Sequence, residues 1–166
     1  VLAGPGLLVQ PGGAFAVATA STIVGSGTQS PAQGEVTVHR FSAGGALLGE
    51  TRLAARQQVI RSPALARLPN GGGLAVWGEA NPRQFQSPIT RLAVRRFGAN
   101  GRALGGVALA ARAAAGHTFN PPTLSADPAG NALVGWMELA QTSAGSAVFQ
   151  ALLREQRPAG LRPVQP

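Results

Sequence analysis

A turn, an apolar strand, a tryptophan and a glutamate occur twice in this chain at one fixed separation. The first copy is "PNGGGLAVWGEA", Pro69–Ala80; the second is "PAGNALVGWMEL", Pro128–Leu139. Gly71 and Gly130, Leu74 and Leu133, Trp77 and Trp136, and Glu79 and Glu138 are each 59 apart. Pro63 with Pro122 and Leu65 with Leu124 share that offset. A period of this size makes the chain an array of supersecondary units, each burying its apolar face on a neighbour. A further step of 59 places Leu74 on Phe15, Trp77 on Ala18 and Glu79 on Ala20, within "PGGAFAVATA".

A second block follows each first block. "HRFSAGGALLGETRLAAR" from His39 matches "RRFGANGRALGGVALAAR" from Arg95 at an offset of 56, and "LREQRPAGLRPVQ" from Leu153 is a weaker third copy. Three units follow, approximately 1–56, 57–115 and 116–166, within a single repeat domain, with Arg40, Arg96 and Arg154 at matching places. Glycine (23) and proline (13) are frequent, and only 12% of residues are charged, so a packed chain with many turns is expected.

Each unit reads as four short strands. "LPNGGG", "DPAGN", "GANG" and "SAGG" are hairpin turns whose glycines suit positive φ. In "FAVA" and "LAVW" the residues alternate between two faces, and neither face is polar. Such strands are buried on both sides. The resulting expectation is an all-β fold of three four-stranded antiparallel propeller-type blades, a partial β-propeller closed by oligomerisation or by further blades. Trp77, Trp136, Phe15, Leu74 and Leu133 are the expected structural core, with Val17, Val76 and Val134 around them. "VALAARAAAG", Val107–Gly116, has helix formers, but its match to "TRLAAR" favours strand then loop.

"SPALARLPNGGGLAVWGEA" followed by "LAVRRFGANGRALGG" resembles the degenerate propeller repeats of secreted and cell-surface bacterial proteins of actinobacterial type. That resemblance implies an extracellular or cell-surface location and motifs that serve folding, with no catalytic assignment. The first unit departs from it by lacking the tryptophan, the third by Glu155 where Phe is expected. "LSADPAGNALVGW" is similar to the Asp box of sialidase-type propellers, with Gly130 one place late.

Candidate chemistry is sparse. Glu79 and Glu138 form a matched pair, read either as fold residues bonding a backbone amide or as two carboxylates converging on one face. His117 lies in the loop "AGHTFNPP", and Phe85 and Phe119 are the aromatics expected to be exposed in variable loops. These five are the candidate ligand-binding residues; no catalytic residue is assigned. Asp127 is expected to cap its own turn. His39 and His117 have no acidic neighbour in sequence, so no metal site and no cofactor are expected. All 14 basic residues are arginine, and with six acidic residues the net charge is +8. Codon bias accounts for this, or attraction to a glycan or another anionic surface polymer. Scattered arginines and only eight aromatics argue against nucleic acid. The uncharged stretch 1–34 is interrupted by Pro5, Pro11 and glycines, lacks a basic start, and is read as neither signal peptide nor membrane span.

The expected function is a non-catalytic binding or assembly module whose partner is itself, head to tail, or the missing blades of a longer chain. The alternatives are a glycan-binding propeller and a sialidase-like glycoside hydrolase.

Overall fold

The computed structural model describes residues 5–23, 31–84, 86–141, 147–157 and 160–163, with side chains described through residue 140. Among the described residues the chain is all-β and no helix is present. Four strands come first: β1 (Gly6–Val9), β2 (Phe15–Ile23), β3 (Gln33–Phe41) and β4 (Leu47–Arg56). Then follow β5 (Val59–Arg67), β6 (Gly73–Ala80), β7 (Ile89–Phe97) and β8 (Ala103–Arg112). The last are β9 (His117–Phe119), β10 (Thr123–Ala126), β11 (Ala132–Gln141), β12 (Ala147–Arg157) and β13 (Gly160–Pro163). Val107–Arg112 is strand, as its match to the first unit suggested.

Every pairing is antiparallel, and hydrogen bonding divides the strands into two sheets rather than the expected three. One is β1-β2-β3-β4. The other has nine strands, because β9 lies between β11 and β7. β9 pairs with β11 over three residues but meets β7 only where Ile89 stands opposite Phe119. One bridge therefore fuses β5–β8 with β10–β13. β9 and β10 lie end to end along the same edge of β11, separated by Asn120–Pro121–Pro122. Proline supplies no N–H, so the ladder breaks there.

The hairpins have one design. Gln10–Ala14, Ser42–Ala46, Leu68–Gly72, Gly98–Arg102 and Asp127–Asn131 each carry a bond from the first N–H to the fifth carbonyl. Each also has a bond from the fourth N–H back to the first carbonyl. The fourth residue is always glycine with φ between 77° and 87° (Gly13, Gly45, Gly71, Gly101, Gly130). In the last four this glycine is a left-handed bulge residue after a type I turn, whereas in Gln10–Ala14 the third residue, Gly12, also has positive φ, 83°, so that turn is type II; glycine adopts these conformations without strain. Gly45 has open space around its Cα, so Gly45→Ala isolates the backbone cost. It should lower stability by about 1–2 kcal/mol in urea unfolding. Gly44→Ala, outside the left-handed region, should change it by no more than a few tenths.

These turns correct the first alignment. Pro11 and Gly13 stand in their hairpin where Pro69 and Gly71 stand in theirs, an offset of 58. Ala16 and Ala18 therefore correspond to Leu74 and Val76, and Thr19 and Ser21 to Trp77 and Glu79. A slip of one residue exchanges the two faces of a strand. The strand pairing gives a second correction. Arg40 and Arg96 lie opposite Ala16 and Leu74, whereas Arg154 lies opposite Val134, the register of Arg95 opposite Ala75.

Two cores lie on opposite faces of β5–β8. In the first, Ala16, Ala18, Val36 and Val38 of the four-stranded sheet pack on Ala75 and Trp77. In the second, Leu74, Val76 and Leu92 pack on Val134, Trp136 and Phe119. All eight residues of β6 are buried, as the two-sided apolar pattern requires. Trp77 and Trp136 are fully buried or nearly so, with Leu74, Val76 and Val134. Phe15 and Val17 differ from expectation: both are only half-buried, because the corrected register turns them to the outer face. Leu133 also differs. It is 40% exposed, alternating with the buried Ala132 and Val134, on a face that no other described strand covers.

Candidate functional site

Glu79 is fully buried. It lies two residues after Trp77 on β6, so both side chains leave the same face. The indole Nε1 of Trp77 donates to Glu79 Oε1 at 3.2 Å. Arg56, at the end of β4, donates from Nη1 to the same oxygen at 3.4 Å. Arg91 Nε on β7 stands 3.7 Å from Oε2, an ion pair without a hydrogen bond. Both arginines are about one-third exposed, at 34% and 32%. The carboxylate thus ties the four-stranded sheet to the next sheet across their shared core.

Glu138 holds the matching place on β11 with different partners. The backbone N–H of Ala114 donates to its Oε1 at 3.1 Å, and His117 Nδ1 lies 3.0 Å from the same atom. It fastens the turn after β8 to β11. Glu79 and Glu138 share no partner, so the convergence of two carboxylates on one substrate position does not arise from these contacts. The amide contact expected of a fold residue is present at Glu138. Trp136 Nε1, unlike that of Trp77, has no partner among the described residues.

Both histidines have an acidic neighbour in space, which the sequence separation concealed. His117 pairs with Glu138. His39 lies between Thr19 Oγ1 at 3.0 Å, on its Nε2, and Glu50 Oε1 at 2.9 Å, on its Nδ1. Glu35 accepts from Thr37 Oγ1 at 2.8 Å and meets Arg52 Nε at 2.7 Å. Among the described residues no three His, Cys, Asp or Glu side chains cluster as metal ligands.

Phe119 differs from the exposed loop aromatic expected. It is 4% exposed and meets Trp136 edge to face, with centroids 6.0 Å apart. Its apolar ring belongs to the second core because β9 extends the edge of β11. Phe85 lies outside the described residues. Asp127 closes its hairpin as expected, accepting from Asn131 N at 2.8 Å and Asn131 Nδ2 at 2.7 Å. The Asn131 side chain first, and then its backbone amide, hold the exposed Asp127 carboxyl below the usual carboxylate range.

No family model matches the chain, and no curated protein shows significant similarity to it.

One feature lies apart from the residues that the sequence singles out. A cleft of about 550 Å³ opens beside the junction of β7 and β9. Arg61, Ser62 and Pro63 of β5 form one wall, and Thr118, Asn120 and Pro121 another. Phe119 also lines it; Glu79, Glu138 and His117 do not. Ser62 has φ of 51°, the one non-glycine residue with positive φ among the described residues. β5 bulges there, two residues standing opposite Trp77. The bulge and the Ser62 conformation follow only from the pairing of β5 with β6.

Proposed function

We propose that the chain is a non-catalytic binding or assembly module of a secreted or cell-surface bacterial β-propeller protein. Its units, approximately 1–56, 57–115 and 116–166, act as three blade-like wedges. The observation that carries this reading is the sense of stacking. The Ala16/Ala18 face of β2 covers the Ala75/Trp77 face of β6. The opposite face of β6, Leu74/Val76, covers the Val134/Trp136 face of β11. In the corrected register these are the same interface used twice in one direction. The hairpins follow the same order. Gln10 Nε2 donates to Gly71 O at 3.1 Å, and Gly130 sits against the Pro69 ring. Arg40 Nη1 also donates to Ala99 O in the second hairpin of the next unit, at 3.2 Å.

An interface repeated in one sense leaves two unlike ends. At one end Leu7 and Val9 are 60% and 61% exposed, beside the stacked rings of Phe15 and Phe41. At the other, Leu133 and Met137 are each 40% exposed. Val17 stands where Ala75 stands, and Leu133 where Leu74 stands, so the internal contact matches one end to the other. The outer part of the first end is polar, but its Thr19–His39–Glu50 and Thr37–Glu35–Arg52 groups already bond one another. The partner is then a second copy joined head to tail, or further blades of a longer chain. Light scattering of the purified chain should give a mass above that of one 16.7 kDa chain and rising with concentration. A stable monomer at all concentrations would overturn the wedge reading.

A glycoside hydrolase needs two carboxylates facing one substrate bond. Glu79 is sealed from solvent, and Glu138 is engaged by a backbone amide and a histidine, so the geometry favours binding over hydrolysis.

A further inference from the structure

We propose that Asn100–Gly101, in the hairpin between β7 and β8, is a spontaneous deamidation site whose product loosens a contact between two units. Two asparagines of the chain precede glycine, Asn70 and Asn100. Asn81 and Asn120 precede proline, which has no N–H to give up in ring closure. At an Asn–Gly pair the glycine nitrogen reaches the side-chain carbonyl unobstructed, because glycine has no Cβ. The Gly101 nitrogen attacks Asn100 Cγ. The N–Cγ bond forms as the Cγ–Nδ2 bond breaks, and the Gly101 amide proton leaves with that nitrogen as ammonia. Water then opens the succinimide ring. Hydrolysis at Cγ gives an aspartate; hydrolysis at the main-chain carbonyl gives an isoaspartate, with an extra methylene in the backbone.

The fold itself demands this labile pair. Gly101 has φ of 84°, and the Arg40 guanidinium lies where a Cβ would stand. Asn100 Oδ1 accepts from Arg102 N at 3.0 Å and closes the turn. Asn70 has the same local geometry, accepting from Gly72 N at 3.1 Å. The surroundings separate the two. Ring closure needs the hairpin to open locally, since Gly71 N and Gly101 N are each held by the first carbonyl of their turn. Around Asn70, Pro69 stiffens the turn and packs on Gly130, and Gln10 Nε2 holds Gly71 O. Gly72 lies so close to Phe97 O that a Cβ would not fit. The turn Gly98–Ala99–Asn100–Gly101 has no proline, and Ala99 and Asn100 are exposed. Its hold on the neighbouring unit is Arg40 Nη1 on Ala99 O, at 3.2 Å. Opening costs less there, so Asn100 reacts first. The isoaspartate lengthens the chain between Ala99 and Gly101, breaks the bond from Gly101 N to Gly98 O, and carries Ala99 O away from Arg40.

The test is peptide mapping by mass spectrometry of the folded full chain during storage in mildly alkaline buffer. Asn100 should exchange its amide for an acid at least about fivefold faster than Asn70, the ratio given by one hydrogen bond of extra opening cost. In urea the two rates should converge, because the hairpins no longer differ. Arg40→Ala should speed the Asn100 reaction by about fivefold, one bond fewer holding its turn, and leave Asn70 unchanged. The deamidated chain, separated by its lower charge, should show faster hydrogen exchange at the Gly98, Gly101 and Arg102 amides that close this turn. Should Arg40→Ala fail to fold, the ratio of Asn100 to Asn70 in the wild-type chain still decides. Equal rates at the two asparagines in the folded chain, no acceleration in a folded Arg40→Ala variant, or unchanged exchange in the deamidated chain would overturn the proposal. The unit 57–115 is covered on both faces within one chain, so these rates are independent of association.

Discussion

Glu79→Ala should lower stability by about 3 kcal/mol, measured by urea unfolding, while Glu138→Ala should cost about 1 kcal/mol. The two glutamates hold equivalent places two residues after a tryptophan, so sequence alone predicts equal effects. Burial separates them. Removing the fully buried Glu79 carboxylate strands the Trp77 indole N–H in the core and leaves Arg56 and Arg91 facing each other without an anion. Breaking a buried ion pair typically costs about 3–5 kcal/mol. The lower figure applies because both arginines reach solvent and are partly screened. Glu79→Gln keeps an oxygen for the indole and should cost less than the alanine variant. Glu138 loses only the Ala114 amide and His117, in a setting where water can replace them. Equal losses from the two alanine variants would show that Glu79 is not the staple between the sheets.

Trp77→Ala and Trp136→Ala should each cost roughly 3–5 kcal/mol, with Trp77→Ala the larger. Trp77 is fully enclosed between the two sheets and its N–H is bonded to Glu79. Trp136 is 5% exposed, packs edge to face on Phe119, and leaves its N–H unbonded among the described residues. Trp136→Phe should retain most of the stability, since no indole hydrogen bond is lost there. Chemical unfolding followed by circular dichroism would rank the variants. Wild-type-like stability of Trp136→Ala would place that side chain outside the core.

The hairpins and the buried strands were legible residue by residue. "PNGG", "SAGG", "GANG" and "PAGN" put glycine at the position that requires positive φ, and each forms the same closure. "LAVW" alternates without a polar face, and β6 is buried along its whole length. Asp127 in its turn was likewise readable, because that contact is local; the Ala114 amide reaches Glu138 only through the fold, since the matching Glu79 makes no such contact. Phe119 misled because "GHTFNPP" reads as loop; β9 forms there only because the edge of β11 is available to pair.

The sequence by itself determined the all-β class and the turn chemistry, since these depend on side-chain alternation and backbone preferences within about ten residues. Tertiary structure decided the register of the first unit, where Thr19 rather than Ala18 takes the tryptophan position. It decided the fusion of β5–β8 with β10–β13 through Ile89 and Phe119. It also brought Arg56 to Glu79, His39 to Glu50, and Arg61 to Asn120 across a cleft. The physical reason is the same in each case. A strand has period two, so apolar residues on both faces leave either register allowed locally. The choice is made by what the neighbouring sheet can bury, and residues 11 to 59 positions apart meet only after that choice.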